Sequence, residues 1–407
     1  MKDTNIYHHY EQMLNLIDPW LVSGVNLDTD NLRLTIIIET RTRKGLPCPK
    51  CGKVCQIEDH RKERSWRHLD TMQFETVITC RTPRINCPEH GVLSVDLPWT
   101  EAYSRFTEMF EKFAIDVILS SKSIKSAMGL LRLSWDQVNE IRERAVLRGL
   151  SRRKDEDIER IGIDEKSFLK GHAYVSVLTD LDRRRVLDIV PSRDTEAAKS
   201  LLSKVPNQSK VKAIAMDMWT PFMNAAKDIF PRADIVHDKY HISTYLNKAV
   251  DTVRKRESKV ISKDGNNTLK NTKYLWLSDP NNWSNEVKQS FDKMAIDSLK
   301  IGKAWSIKEA FRDFWICSNK DTGSQFFRKW YFWATHSRLK PIIDVAKTLK
   351  RHLKGILAYL EHLITNALTE GLNSCIQIIK SNARGFRNFN NYRNAILFHH
   401  GKLDLYP

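Results

Sequence analysis

The sequence predicts a mixed α/β chain in three successive parts. A small cysteine-bearing, β-rich module comes first, a helical segment follows, and a larger α/β region interrupted by a long helical block completes the chain. Three observations lead there. Residues 1–98 alternate apolar and polar side chains in short runs and carry paired Cys/His knuckles. Residues 99–152 follow the helical period. After the charged joint SRRKDEDIER (151–160), strand and helix patterns alternate to about residue 242. At 407 residues the chain is long enough for two or three cores, and no Pro/Gly/Ser-rich tract suggests extensive disorder.

The formal net charge of +17 makes polyanions, and nucleic acid above all, the natural partners. No stretch approaches the length of uninterrupted apolar sequence that a membrane span requires. The start MKDTNIYHHYEQ has no signal-peptide apolar region. The expectation is a soluble cytoplasmic protein with no membrane partner. Seven cysteines are an odd number, and their clustering reads as metal binding more readily than as disulfides.

In the first part, the knuckles CPKCGK (48–51) and CPEHGV (87–90) are separated by 35 residues. A C-x-x-C turn supplies two zinc ligands from one tight bend, and C-x-x-H supplies two more. Cys48, Cys51, Cys87 and His90 are therefore the candidate ligands of a closed, structural zinc site. Gly52 and Gly91 follow each second ligand, where such a turn often needs positive φ. Cys55 and Cys80 lack partners at ligand spacing and read as packing residues, and His68 is a lower-ranked substitute ligand. The alternative is a set of buried cysteines that bind nothing.

In the second part, RFTEMFEKFAIDVILS, SIKSAMGLLRL and SWDQVNEIRERAVLRGL read as three helices. Ser123 caps the second, and Ser134 with Gln137 makes a capping box for the third. On that third helix Val138, Ile141 and Ala145 share one side. Gln137, Asn139, Arg142 and Arg144 lie off it, available to bases or phosphates in a helix-turn-helix reading. An ordinary linker bundle is the alternative.

In the third part, ERIGIDEKSF (159–168) is a strand with Asp164 in its middle, and HAYVSVLTD and RVLDIVPSRD form a hairpin. TEAAKSLLSKV is a helix, and VKAIAMDM is a fourth strand carrying Asp217 at its end. Thr220 is the expected N-cap of the next helix with Pro221 at its first position. ADIVHDKYH (233–241) is a fifth strand. This order suits a ribonuclease-H-like fold, in which the first and fourth strands lie side by side and bring Asp164 and Asp217 close together. Two close carboxylates repel unless a cation lies between them, and Mg²⁺ takes hard oxygen ligands. On that reading metal, not a buried basic partner, holds Asp217. In NALTEGLNSCIQIIKSNARGF, the residues Glu370, Asn373, Gln377, Lys380 and Arg384 form a polar stripe opposite Leu368, Leu372, Cys375, Ile376 and Ile379. Such a helix would bring Glu370 to the two aspartates, and Lys380 and Arg384 to phosphates. Taken singly, each acid also suits a solvated strand edge and the stripe a solvent face.

These residues resemble the ISL-three family of bacterial insertion-sequence transposases over nearly the whole chain. The likeness runs through CPKCGK…WRHLD…PRINCPEHGV, FEKFAIDVILSSKSIKSAMGLLRLSWDQV and IGIDEKSF. It continues through AMDMWTPF, VHDKYHISTYLNKAVDTVRK and TEGLNSCIQIIKSNARGFRNFNNYRNAILF. The resemblance implies that Asp164, Asp217 and Glu370 are a DDE catalytic triad holding Mg²⁺ (or Mn²⁺), with structural Zn²⁺ on the knuckles. It places a zinc-binding region at 1–98, a helix-turn-helix domain at 99–152, and a catalytic domain at 157–407 with a helical insertion at about 243–362. It makes His241, with Asp238, a D-x-x-H element that supports the site or end binding.

The implied activity is cleavage and strand transfer on double-stranded DNA, with terminal inverted repeats and target DNA as partners. A homodimer or higher assembly and no nucleotide cofactor are expected, and no Walker-type glycine loop is present. The expected DNA contacts are Gln137, Asn139, Arg142, Arg144, Trp219, His241, Lys380, Arg384 and Arg387. Six of the 11 tryptophans lie in the insertion, most of them expected in its core. Two other functions compete: a non-catalytic zinc/helix-turn-helix regulator, and a ribonuclease-H-like nuclease. The first has no need of three carboxylates, and the second has no need of two upstream DNA-reading modules.

Overall fold

The computed structural model describes residues 4–41, 45–169, 173–237, 239–292, 299–364 and 367–407, with side chains from residue 6 onward except at 367–370. It divides into two compact units, Met1–Arg153 with Leu403–Pro407, and Lys154–Lys402.

The first unit opens with α1 (Thr4–Met13), β1 (Trp20–Asp28), β2 (Arg33–Thr40), β3 (Leu46–Pro47) and β4 (Val54–Cys55). β5 (Ile57–Arg67), β6 (Glu75–Cys87) and β7 (Gly91–Ser94) follow. The main sheet runs β1-β2-β6-β5, with β7 also paired to β6; β3 and β4 form a separate ribbon. Only β2 and β6 pair in parallel among these strands. Strand alternation buries Leu34, Ile36 and Ile38 of β2 against Trp66, Ile78 and Cys80.

Helices α2 (Glu108–Ser120), α3 (Ile124–Leu131) and α4 (Trp135–Ser151) complete the unit. Ser123 caps α3, and Ser134 with Gln137 forms the full capping box of α4. Arg132 takes a left-handed conformation (φ 54°) at the joint between these helices. The five C-terminal residues, placed by the sequence with the catalytic region, belong here: Arg148 donates to the Leu405 carbonyl and the Tyr406 hydroxyl to Asp116.

The second unit begins with β8 (Arg160–Leu169), β9 (Ala173–Asp180), β10 (Arg185–Pro191), α5 (Thr195–Leu202), β11 (Ala213–Met216), α6 (Thr220–Ile229) and β12 (Asp234–His237). The sheet order is β10-β9-β8-β11-β12. The first three strands are antiparallel, and β11 pairs in parallel with both β8 and β12. β12 is shorter than the sequence suggested, because a helix starts at Lys239. The cap of α6 also shifts by one: Trp219, in extended conformation, is the N-cap and Thr220 is already helical.

The long helical block holds α7 (Lys239–Ile261), α8 (Lys273–Leu277), α9 (Asn285–Asp292), α10 (Lys300–Ala310), α11 (Lys320–Thr335), α12 (Lys340–Arg351) and α13 (Leu353–His362). α14 (Ala367–Asn382) and α15 (Phe389–His400) close the unit. Trp276 and Trp330 are buried in the core of the block, Trp283, Trp305 and Trp315 pack on it, and Trp333 is exposed. Among the described residues no helix is long and apolar enough to cross a membrane.

The period of two sorts β11 between two cores. Ile214 and Met216 join α5 and α6, whereas Ala213 and Ala215 join the helical block. On β8, Ile161 and Ile163 face the α5/α6 side. By alternation Asp164 and Asp217 belong to the opposite face, the one the helical block covers.

Candidate functional site

In the first unit the Cys48, Cys51, Cys87 and His90 ligand atoms all lie within 4.8 Å of one another. Cys51 and Cys87 Sγ are 3.7 Å apart, and His90 Nδ1 lies 3.8 Å from Cys48 Sγ and 3.5 Å from Cys87 Sγ. A tetrahedron with Zn–S bonds of about 2.3 Å has edges of about 3.8 Å, so the donor set fits zinc in chemistry and in size. Gly52 and Gly91 adopt φ of 73° and 69°, which turns each knuckle back on itself. Although burial opposes its ionisation, backbone N–H groups of Glu89 and His90 hold the Cys87 thiol down at about 7. That favours the thiolate a metal needs.

His68 is not part of this cluster. It is buried, and its Nδ1 lies 2.9 Å from the hydroxyl of Thr107, the N-cap of α2. Burial, reinforced by the neighbouring Arg67 charge, pushes its imidazole down to about 4. Cys55 and Cys80 are buried packing residues.

The DNA-facing set expected on α4 needs correction. Arg142 is only 3% exposed, and burial pushes its guanidinium down to about 10. It donates to Asn139 Oδ1 at 2.5 Å. Arg144 turns to the buried Glu111 at 2.5 Å, which Arg148 also contacts at 2.6 Å. An acid buried on α2 thus draws cations inward, because leaving it unpaired would be costly. Gln137 Oε1 accepts the Ser134 backbone N–H as part of the capping box. Asn139 stays half-buried.

In the second unit, Ile163 is in register with Met216, so Asp164 on β8 and Asp217, the first residue past β11, follow next to each other on neighbouring parallel strands. The Asp164 side chain is 16% exposed and that of Asp217 28%. One oxygen of each is fixed by the next backbone N–H, Glu165 to Asp164 at 2.7 Å and Met218 to Asp217. The other Asp164 oxygen accepts Asn373 Nδ2 at 2.5 Å and lies 3.6 Å from Lys166 Nζ. The other Asp217 oxygen lies 3.7 Å from His241 Nδ1. Burial holds the Glu165 carboxyl above its ordinary value, and the charges of Asp164 and Asp217 push the same way. Two half-buried carboxylates on neighbouring parallel strands, with few compensating cations, suit a divalent ion held by hard oxygens.

Among the described residues, Asn373 and Lys380 hydrogen-bond α14 to β8, the second through Lys380 Nζ to the Ser167 carbonyl at 2.7 Å. Both belong to the polar stripe predicted for this helix. Glu370 lies on α14 one turn before Asn373, but its side chain, like Asp238, is outside the described residues. Arg384 and Arg387 are exposed beyond the helix end.

Trp219 is 38% exposed, and its indole N–H donates to the Arg193 carbonyl at 3.1 Å. The Arg193 guanidinium sits 3.9 Å from the Tyr174 ring centre and 4.9 Å from that of Trp219, and pairs with Glu165 at 2.8 Å. Sequence reasoning missed Arg193 and gave Asn373 no particular role. For Asn373 the signal was its spacing of three from Glu370; for Arg193 no local pattern existed.

Comparison with known proteins agrees with this architecture. Residues 161–396 match the family model for the transposase domain of the ISL3 type. Residues 45–90 match the zinc finger of transposase IS204/IS1001/IS1096/IS1165, and residues 95–146 the helix-turn-helix domain of transposase family ISL3. The transposase of insertion sequence element IS1001 from Bordetella parapertussis is 27% identical over 373 residues, covering 90% of this chain and 91% of that protein. The transposase of element IS1557 from Mycobacterium tuberculosis is 24% identical over 386 residues, covering 88% and 86%. The chain belongs to the ISL3 family of transposases, with zinc-ribbon and helix-turn-helix modules ahead of the transposase domain.

Proposed function

We propose that this transposase binds the terminal inverted repeats of its element through the first unit, and cuts and joins DNA strands at a DDE site made of Asp164, Asp217 and Glu370. The observation that carries the reading is that Asp164, in the middle of β8, and Asp217, the first residue past β11, follow the register pair Ile163 and Met216 on adjacent parallel strands, where α14 reaches Asp164. The sheet order, with three antiparallel strands followed by two parallel ones across the first, supports a ribonuclease-H-like fold for the second unit.

Asp164, Asp217 and Glu370 would together hold the divalent ions, Mg²⁺ or Mn²⁺. When bound, such ions acidify the attacking hydroxyl and neutralise charge on the leaving 3′-oxygen. The chain's own groups do the positioning. Backbone N–H groups of Glu165 and Met218 fix one oxygen of each aspartate. Asn373 orients the second oxygen of Asp164, and His241 stands beside that of Asp217. Lys380, Arg384 and Arg387 follow along and beyond α14, where DNA phosphates would run past the acids, and Trp219 offers an exposed ring nearby. With Arg142 and Arg144 turned inward, Gln137 and Asn139 are the residues of the expected α4 set that would meet DNA. Pairing two element ends requires at least two protomers, and the bacterial cytoplasm is the expected compartment.

The test is cleavage mapping on a DNA fragment carrying the element's ends in Mg²⁺. Asp217→Ala should abolish cutting while end binding persists in a gel shift. Undiminished cutting by that variant would remove the DDE assignment.

A further inference from the structure

We infer that the outward face of α11 and α12 seats a DNA duplex of arbitrary sequence, held by its phosphates; the inference rests on the DNA-processing reading above. Two hollows lie on these helices, of about 430 and 740 Å³. Gln325, Arg328, Lys329 and Phe332 line the first, and Lys347, Lys350 and Arg351 stand in the second beside Tyr331 and Asp344. Tyr331 and Phe332 are consecutive residues, so the hollows are neighbours.

What marks this face is five unpaired cations gathered on two helices beside exposed aromatic rings. Arg84, Arg148, Arg185 and Arg393 are tied to carboxylates. Among the described residues, Arg328, Lys329, Lys347, Lys350 and Arg351 are all exposed and none is ion-paired. Lys350 lies 4.8 Å over the Tyr331 ring and Arg351 reaches the Thr348 hydroxyl at 3.1 Å, neither of which neutralises its charge. A solvated helix face explains cations, but not the aromatic rings among them: Phe332 is 64% exposed and Trp333 40%. Cations interleaved with exposed aromatics match a polyanion that also offers sugar and base surface.

Size decides for a duplex. The 16 residues of α11 span about 24 Å and the 12 of α12 about 18 Å. Duplex DNA presents one negative charge per about 1.7 Å of axis, so a face of this length meets on the order of ten phosphates. None of these side chains forms a pattern that reads individual bases, hence a seat indifferent to sequence. DNA flanking the element or serving as target has that character.

The experiment uses the full-length zinc-loaded protein and a random-sequence duplex, titrated with salt. Neutralising Arg328, Lys329, Lys347, Lys350 and Arg351 to Gln should reduce the slope of log affinity against log salt by about 4 to 5, at about 0.9 for each of the five phosphates left without its cation. A control variant loses five exposed cations elsewhere, Lys210, Lys227, Arg232, Lys259 and Lys303, and should change the slope by less than 1. Equal slopes for the two variants would reduce the effect to bulk charge and overturn the inference. Independently of variant stability, benzoylphenylalanine installed at Phe332 should crosslink to the duplex on irradiation, and at exposed Tyr274 should not. Adducts at 332 only to a second protein chain would instead make this face a protein interface. Cleavage of end-bearing DNA by the wild type is followed in parallel. If cutting proceeds while slope and crosslink fail, this inference falls alone; if they succeed without cutting, the catalytic reading falls.

Discussion

Asn373 donates its side-chain amide to Asp164 at 2.5 Å, joining α14 to β8 across 209 residues of sequence. The amide is buried and the carboxylate nearly so, which makes this a charge-assisted bond in a poorly solvated place. Asn373→Ala should cut DNA cleavage at least tenfold and leave end binding unchanged. The fold should lose no more than about 3 kcal/mol, the range for hydrogen bonds to charged groups. Asn373→Asp places a further carboxylate directly against Asp164, so the Mg²⁺ needed for half-maximal cutting should change while a purely structural defect would not move it. Metal titrations of both variants decide.

Zinc on the knuckles leads to a separate expectation. Cys51→Ser removes one of four donors from a cluster sized for a tetrahedron. Bound zinc, measured by a chromogenic chelator, should fall, and affinity for inverted-repeat DNA should drop at least tenfold. Affinity for random duplex should stay within about threefold. Full end specificity in a zinc-free protein would refute the structural role.

What the sequence revealed and what it hid follow one physical division. β11 was legible because Ala213, Ile214, Ala215 and Met216 alternate between two cores, and that alternation sets the side on which Asp217 emerges. The knuckles were legible because Gly52 and Gly91 sit where the turn requires positive φ. Hidden features depend on partners distant in sequence. Arg142 and Arg144 looked solvent-facing from the stripe Val138, Ile141, Ala145. In the fold α4 also buries Val146, Arg148 and Gly149, and Glu111 on α2 draws Arg144 and Arg148 inward. No local period reports a buried acid on another helix. The same limit concealed the docking of Asn373 on Asp164 and the stacking of Arg193 between Tyr174 and Trp219.

His68 gives the first unit a pH dependence of known sign. Burial holds its imidazole at about 4, below the ordinary 6.5, so the unfolded chain binds more protons between those values. Its contribution to stability is present above pH 6.5, declines as pH falls, and is fully lost below about 4. The slope cannot exceed about 1.4 kcal/mol per pH unit for one group. In denaturant titrations, the advantage of wild type over His68→Gln should shrink from pH 7 to pH 5. The paired comparison cancels the titration of the knuckle thiols, and a constant difference across that range would contradict the assignment.

The last expectation concerns Arg193, which binds Glu165 beside the acids and carries the Trp219 ring on its plane. A flat guanidinium can stack on Tyr174 and Trp219 at once, which an ammonium cannot. Arg193→Lys should therefore keep the charge but release the Trp219 ring, whereas Trp219→Ala removes the ring itself. If that ring stacks on a DNA base, its loss weakens the complex by about 1–3 kcal/mol, the range for one base on an aromatic side chain. Cleavage by Trp219→Ala should then show a raised KM for end-bearing DNA and a kcat within a few-fold of wild type, with Trp219→Phe largely restoring binding. Arg193→Lys should fall between the two. 2-Aminopurine placed singly along the end sequence would locate the contact, through fluorescence that is quenched by wild type and recovered in Trp219→Ala. No position behaving in that way would leave Trp219 as an N-cap residue packed on Arg193, without a role in holding DNA.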